Sequence, residues 1–196
     1  SIEEDAFERC RGELILNCSC LGLYGGQFTR LVIGDSVTSI GIHAFYGCTS
    51  LTSITIGNGV TSIGYAAFYN CTSLTSITIP DSVTLIGNYA FYGCTGELII
   101  NSKIVEENYT ISNYPQEDGW LSGAKFTKLT IGNGVTSIGE YAFYRCNALT
   151  SITIPDGVTK IENYAFAYCR SLTSITIPNG VTEIGSHAFM DCTSLT

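Results

Sequence analysis

Six cysteines divide this chain into units of one length. They fall at Cys48, Cys71 and Cys94, then at Cys146, Cys169 and Cys192, with a step of 23 inside each trio. From one cysteine to the next the text is nearly constant: C-T-S-L-T-S-I-T-I, a Pro or Gly opening a turn, then V-T-x-I-G-x-x-A-F. A unit this short cannot close a hydrophobic core on its own. A fixed period of this size therefore requires copies to stack on one another around a shared core.

The array continues through two places where it seems to break. Upstream, Ala6, Phe7 and Cys10 keep the A-F-x-x-C spacing. After Cys10 and Cys94 come Gly12-Glu13-Leu14-Ile15 and Gly96-Glu97-Leu98-Ile99, rejoining the pattern at Phe28-Thr29-Arg30-Leu31 and Phe126-Thr127-Lys128-Leu129. Counting back six from Leu31 and Leu129 places Gly25 and Gly123 in the cysteine register, giving coils of 25 − 10 = 15 and 123 − 94 = 29 residues. The blocks that begin at Cys10 and Cys94 form a two-fold super-repeat. We expect one solenoid domain over 1–196, with irregular coils about 10–25 and 94–123. Ser1-Ile2 begins inside a unit and Leu195-Thr196 stops inside a strand, so a piece of a longer array is expected.

The fold expected is an α/β repeat solenoid: a right-handed coil with one parallel β-sheet, short helical turns on the opposite side and a 23-residue period. In Leu51-Thr52-Ser53-Ile54-Thr55-Ile56, apolar and hydroxyl residues alternate, which suits a strand with one buried face. Gly57-Asn58-Gly59, or Pro80-Asp81-Ser82 in the next unit, ends it with turn chemistry. Val60 and Ile63 point inward from a second short stretch, and Ala67, Phe68 and Cys71 would share one face of a helical turn. Eight parallel strands at about 4.8 Å would span roughly 34 Å.

The strand Leu51-x-x-Ile54-x-Ile56 resembles the strand signature of leucine-rich repeats. The whole unit, with I-G-x-x-A-F-x-x-C-x-S-L, resembles the BspA-like subfamily over nearly the entire chain. Where many leucine-rich repeats carry a ladder asparagine, Gly59, Ser82 and Gly157 stand here. The resemblance implies a bacterial cell-surface or secreted protein that attaches to host extracellular-matrix proteins, fibronectin and fibrinogen being typical; the broad face of a rigid solenoid would also suit another host surface protein or a glycan.

Other readings are weaker. A net charge of −8 with 13% charged residues and no Lys/Arg cluster argues against nucleic acid. No apolar run approaches the roughly 18 residues of a membrane span, so membrane insertion by this chain is not expected. Nine cysteines would suggest disulfides or metal in a smaller protein; here most are one buried small residue per coil, and stacked parallel Cβ vectors suit a disulfide torsion poorly. Free thiols are expected. Cys18 and Cys20 form a lone C-x-C, too weak a signal for a metal, and no cofactor is expected. His43 and His187 precede Ala-Phe pairs with no recurring acid or nucleophile, and no phosphate-cradling loop exists, so no catalytic residue is expected. Trp120 stands three before Gly123, as Phe68 does before Cys71, and is expected in the core.

Three surfaces remain as candidates for contact: the sheet face, the loop over 102–118 and the tyrosine side. The sheet face carries a hydroxyl grid: Ser53, Thr55, Ser76, Thr78, Ser151, Thr153, Ser174 and Thr176. The acidic loop carries Tyr109 and Tyr114 with Glu106, Glu107, Glu117 and Asp118, and the tyrosine side the series Tyr46, Tyr69, Tyr92, Tyr144 and Tyr168. A binding or adhesion module is expected first. A spacer in a larger surface protein is the alternative, followed by an ice-binding plane and an enzyme.

Overall fold

The computed structural model describes residues 11–17, 26–106 and 119–196. Eight strands lie side by side in one parallel sheet: β1 (Arg11–Leu16), β2 (Gln27–Ile33), β4 (Ser53–Ile56), β6 (Ser76–Ile79), β8 (Thr95–Ile100), β9 (Lys125–Ile131), β11 (Ser151–Thr153) and β13 (Ser174–Ile175), in that order. The pairs Leu31↔Ile54, Ile77↔Leu98, Leu98↔Leu129 and Leu129↔Ile152 put one aliphatic column on the buried face. Alternation in the sequence thus becomes one wet face and one dry face.

One sheet was expected; the described residues form three, all parallel. The second stretch of each unit forms strands of two residues. β3 (Ser39–Ile40), β5 (Ser62–Ile63) and β7 (Leu85–Ile86) make one small sheet, and β10 (Ser137–Ile138), β12 (Lys160–Ile161) and β14 (Glu183–Ile184) another. The division falls at the long coil, where a 3₁₀ turn over Lys103–Val105 stands between β7 and β10. There the Val105 carbonyl accepts from Gly139 N–H, as Ile63 accepts from Gly87. The Glu106 carboxylate accepts from both the N–H and the hydroxyl of Thr136, replacing the threonine carbonyl that Thr84 and Thr159 meet on their preceding coils. A side chain completes the backbone ladder across the gap.

The third side is not helical. Each unit crosses it on turns closed by i→i+3 bonds such as Ala44 N–H to Gly41 O, Tyr46 N–H to His43 O and Cys48 N–H to Phe45 O. Two left-handed residues punctuate each regular crossing, for example Ala66 (φ 51°) and Asn70 (φ 58°), or Tyr164 (φ 54°) and Tyr168 (φ 63°). They aim alternate N–H groups at the next coil, so Phe45 donates to Ala67 O and Phe68 to Ala90 O. Helix would point every N–H along its own axis; these turns divide them between coil and neighbour, which gains the ladder at the expense of strained φ values.

One contiguous cluster of buried residues runs from Leu16 to Cys192. Its spine is a stack of phenylalanines: Phe45, Phe68 and Phe91 at centroid spacings of 5.2 and 5.6 Å, then Phe143, Phe166 and Phe189 at 5.2 and 5.3 Å. Between the stacks Phe91 meets Trp120 and Phe126 edge-on, at 6.0 and 6.1 Å. Trp120 is buried, as expected, yet its register differs. Ala124 N–H bonds to Leu121 O as Cys94 bonds to Phe91, and Gly123 holds a φ of 68° like Gly93 before its cysteine. Ala124 therefore fills the cysteine position and Leu121 the phenylalanine position. The count of six fails because β9 is extended from Lys125 and omits the tight turn by which Leu51 N–H reaches Cys48 O. The smaller side chains leave a cavity of about 20 Å³ lined by Leu98, Leu121, Ala124, Phe126, Phe143 and Cys146.

Candidate binding surfaces

On the wet face of the large sheet, β4 and β6 align Ser53 with Ser76, and β11 and β13 align Ser151 with Ser174. Thr55, Ser151, Thr153, Ser174 and Thr176 are exposed, while Ser53, Ser76 and Thr78 are half-buried. The grid is two patches rather than one. Ser76 faces Glu97 and Thr78 faces Ile99 on β8, while Lys128 faces Ser151 and Thr130 faces Thr153 on β9. The dividing feature is an ion pair, Lys128 Nζ to Glu97 Oε1 at 2.9 Å, with the Thr130 hydroxyl donating to the same oxygen at 2.8 Å. These contacts hold the Glu97 carboxyl below its usual range, the Lys128 bond first.

The same device recurs at the start of the chain, where Arg30 Nε lies 3.1 Å from Glu13 Oε1 across β1 and β2. Both strand pairs carry a register shift at Gly-Glu, Gly12/Glu13 and Gly96/Glu97. The super-repeat is thus visible as a repeated bulge and a repeated ion pair. Glu13, Arg30, Glu97, Lys128 and Ile99 were missed as members of this face, although the near-identical strands that carry them stood in the sequence.

Among the described residues, the repeated strand hydroxyls fall into two groups. Thr52, Thr75, Thr150 and Thr173 each donate to the threonine carbonyl of the preceding coil, at 2.8–3.2 Å. Thr61, Thr84, Thr159 and Thr182 do the same beside the small sheets. Among the described residues no side-chain hydrogen bond engages Ser53, Thr55, Ser76, Thr78, Ser151, Thr153, Ser174 or Thr176. The first group is scaffold; the second is left out of the coil-to-coil bonding.

On the turn side Tyr46, Tyr69 and Tyr92 stack face to face at 4.7 and 4.4 Å, with planes 4° apart. A Cβ on Gly123 would stand 2.2 Å from the Tyr92 ring, so only glycine lets the next coil close over that stack. The second trio differs. Tyr141, Tyr164 and His187 stack at 5.0 and 4.9 Å, while Tyr144 meets Tyr168 edge-on at 5.4 Å. Arg145 and Arg170 lie over the Tyr168 ring at 5.7 and 5.6 Å. Tyr69 and Tyr141 phenols are pushed up, first by desolvation. Tyr109, Tyr114, Glu107, Glu117, Asp118, Phe7, Cys10, Cys18, Cys20 and Gly25 lie outside the described residues.

The ladder cysteines are free thiols. Each of Cys71, Cys94, Cys169 and Cys192 donates from Sγ to the phenylalanine carbonyl of the preceding coil, at 3.0–3.3 Å. Burial pushes the Cys48 thiol up to about 11 and the Cys146 thiol up to about 12. Bonded and enclosed, the sulfurs of Cys71, Cys94, Cys169 and Cys192 pack the core, while Cys146 is half-buried.

Parallel strands stacked coil on coil, a repeated aliphatic column and turns in place of helices define a leucine-rich-repeat solenoid. The sequence profile of the BspA type leucine rich repeat region, in six copies, matches residues 22–115 and 117–196, and the chain belongs to that family. A leucine-rich repeat protein from Eubacterium ventriosum is 31% identical with a TM-score of 0.64, over 86% of this chain and 44% of that one. A leucine rich cell surface protein from Faecalibacterium prausnitzii is 38% identical with a TM-score of 0.46, over 86% of this chain and 38% of that one. The leucine-rich repeat protein of T. pallidum is 27% identical with a TM-score of 0.49, over 94% of this chain and 71% of that one. No curated protein matches. This chain therefore spans less than half the length of its relative from E. ventriosum.

Proposed function

We propose that this chain is a non-enzymatic binding module of a bacterial cell-surface or secreted protein, with residues 1–196 acting as one solenoid domain. Its ligand is a host extracellular-matrix or surface protein, or a glycan carried on one. The observation that carries the reading is the division of labour among hydroxyls. The Thr52 column is consumed by the coil-to-coil ladder, whereas Ser53, Thr55, Ser76 and Thr78, and their counterparts Ser151, Thr153, Ser174 and Thr176, are not. A rigid sheet presenting uncommitted donors and acceptors binds without ordering loops, which reduces the entropic cost of association.

Binding to immobilised matrix proteins and a glycan array tests this, comparing the wild type with Thr55→Ala/Thr78→Ala and Thr153→Ala/Thr176→Ala. Loss of binding with unchanged thermal stability is expected, while Thr52→Ala lowers stability and leaves the contact chemistry intact. Absence of binding by both this chain and its full-length parent overturns the reading. The alternative, a spacer, is supported by the continuous eight-stranded sheet and continuous core, which stiffen the stack. It predicts that shortening the array by one unit in the parent weakens attachment without altering ligand affinity in solution.

A further inference from the structure

Three Asn-Gly steps occupy the same turn, the one that follows the sheet strand: Asn58-Gly59, Asn133-Gly134 and Asn179-Gly180. All three asparagines are exposed. An asparagine followed by glycine is chemically labile because the glycine main-chain nitrogen can attack the side-chain amide with no Cβ in the way. That attack needs the peptide between them to swing out of its turn geometry, so the packing around the glycine decides the rate.

The packing is not equal. A Cβ on Gly59 would stand 1.8 Å from Asp35 O, and one on Gly180 would stand 2.5 Å from Asp156 O, so both glycines are pressed against the preceding coil. Asn58 is pinned further, its N–H donating to Asp35 Oδ1 at 2.7 Å. The nearest atom to a Cβ on Gly134 is Asn101 O, at 4.0 Å. Below this turn lies the irregular coil, whose 3₁₀ segment over Lys103–Val105 replaces the regular strand. Gly134 is exposed where Gly59 and Gly180 are half-buried.

We propose that Asn133 is a site of spontaneous deamidation selected by the fold. The Gly134 nitrogen bonds to Asn133 Cγ, the Cγ–Nδ2 bond breaks, and ammonia leaves with the proton that Gly134 N–H gives up, forming a succinimide. Water then opens the ring at either carbonyl, giving aspartate or isoaspartate. No oxidant or reductant takes part. The product alters a patterned column: Asp35, Asn58 and Asp81 in one block and Asn133, Asp156 and Asn179 in the other alternate charged with neutral. A carboxylate at 133 faces Asp156 on the next coil, and the isoaspartate form adds a methylene to the main chain inside the turn closed by Val135 N–H to Gly132 O. The reaction therefore places an ageing mark at the base of the second trio.

Incubation of the native chain at mildly alkaline pH, with peptide mapping by mass spectrometry and enzymatic methylation of isoaspartate, provides the test. Asn133 is expected to convert several-fold faster than Asn58 and Asn179, and the three rates to converge in denaturant, where only the shared dipeptide remains. Gly134→Ala, at a position with space for a Cβ and no left-handed φ, is expected to suppress the Asn133 product while retaining the thermal transition. Equal native rates at the three sites, or a preference that persists in denaturant, overturns the proposal. The native-to-denatured comparison decides the matter even where the variant folds poorly.

Discussion

At the scale of single residues, the phenylalanine stack and the cysteine column obey one rule, that a position repeated in every coil must fit against itself. Phe68 is fully buried between Phe45 and Phe91, and Phe68→Ala should cost about 3–5 kcal/mol by leaving a cavity that the rigid ladder cannot collapse. Chemical denaturation read against the wild type measures it. Both columns were legible because a fixed spacing is a local signal. The ion pair of Glu97 with Lys128 was not, since its partners are 31 positions apart and meet across a bulge. Its energetic share is small: an exposed pair contributes about 0–1 kcal/mol. The sign is nevertheless defined. The folded carboxyl is held below its unfolded value, so its contribution is present above that value and fades as pH falls through the folded one, in the range below about 4.3. Glu97→Gln should flatten that part of the stability profile, and salt should reduce the difference between the two proteins.

At the scale of elements, the strands were readable and the turn side was not. Ile54 and Ile56 alternate with Ser53 and Thr55, and that pattern admits only a half-buried strand. The spacing of Ala67, Phe68 and Cys71 equally fits one turn of helix, and what excludes helix is non-local. Each crossing must also bond to the next coil, which left-handed residues at Ala66 and Asn70 achieve. The split of the second stretch into two small sheets has the same origin, because the 3₁₀ segment offers Thr136 a carboxylate in place of a strand carbonyl. Removing it in Glu106→Ala should expose the Thr136 amide and destabilise that junction by roughly 1–2 kcal/mol. Native-state hydrogen exchange is the measurement: protection at Thr136 should drop, while Thr159, whose N–H meets a backbone carbonyl, should keep its own.

Across the whole molecule, a stack is only as cooperative as its weakest interface, since each coil touches only its neighbours. Several weaknesses coincide at the long coil. The small sheets end there, the phenylalanine stack is interrupted between Phe91 and Phe143, and Leu121 and Ala124 border a cavity of about 20 Å³. The ion pair and the Glu106 bridge hold the two trios together at the same level, so the seam is reinforced by polar contacts beside a small apolar cleft. Ala124 stands where a regular coil has a buried thiol, and Cys146 beside it is only half-buried, in contrast to Cys71, Cys94 and Cys169. Ala124→Cys should restore the column, fill part of the void and raise stability by about 1 kcal/mol, a shift of roughly 2–4 °C in the thermal midpoint for a domain of this size. The gain should appear as slower exchange in β8 and β9 on either side of the seam, with β4 and β5 unchanged. A variant no more stable than the wild type would mean that the seam is already packed to its limit, and that unfolding begins elsewhere in the stack.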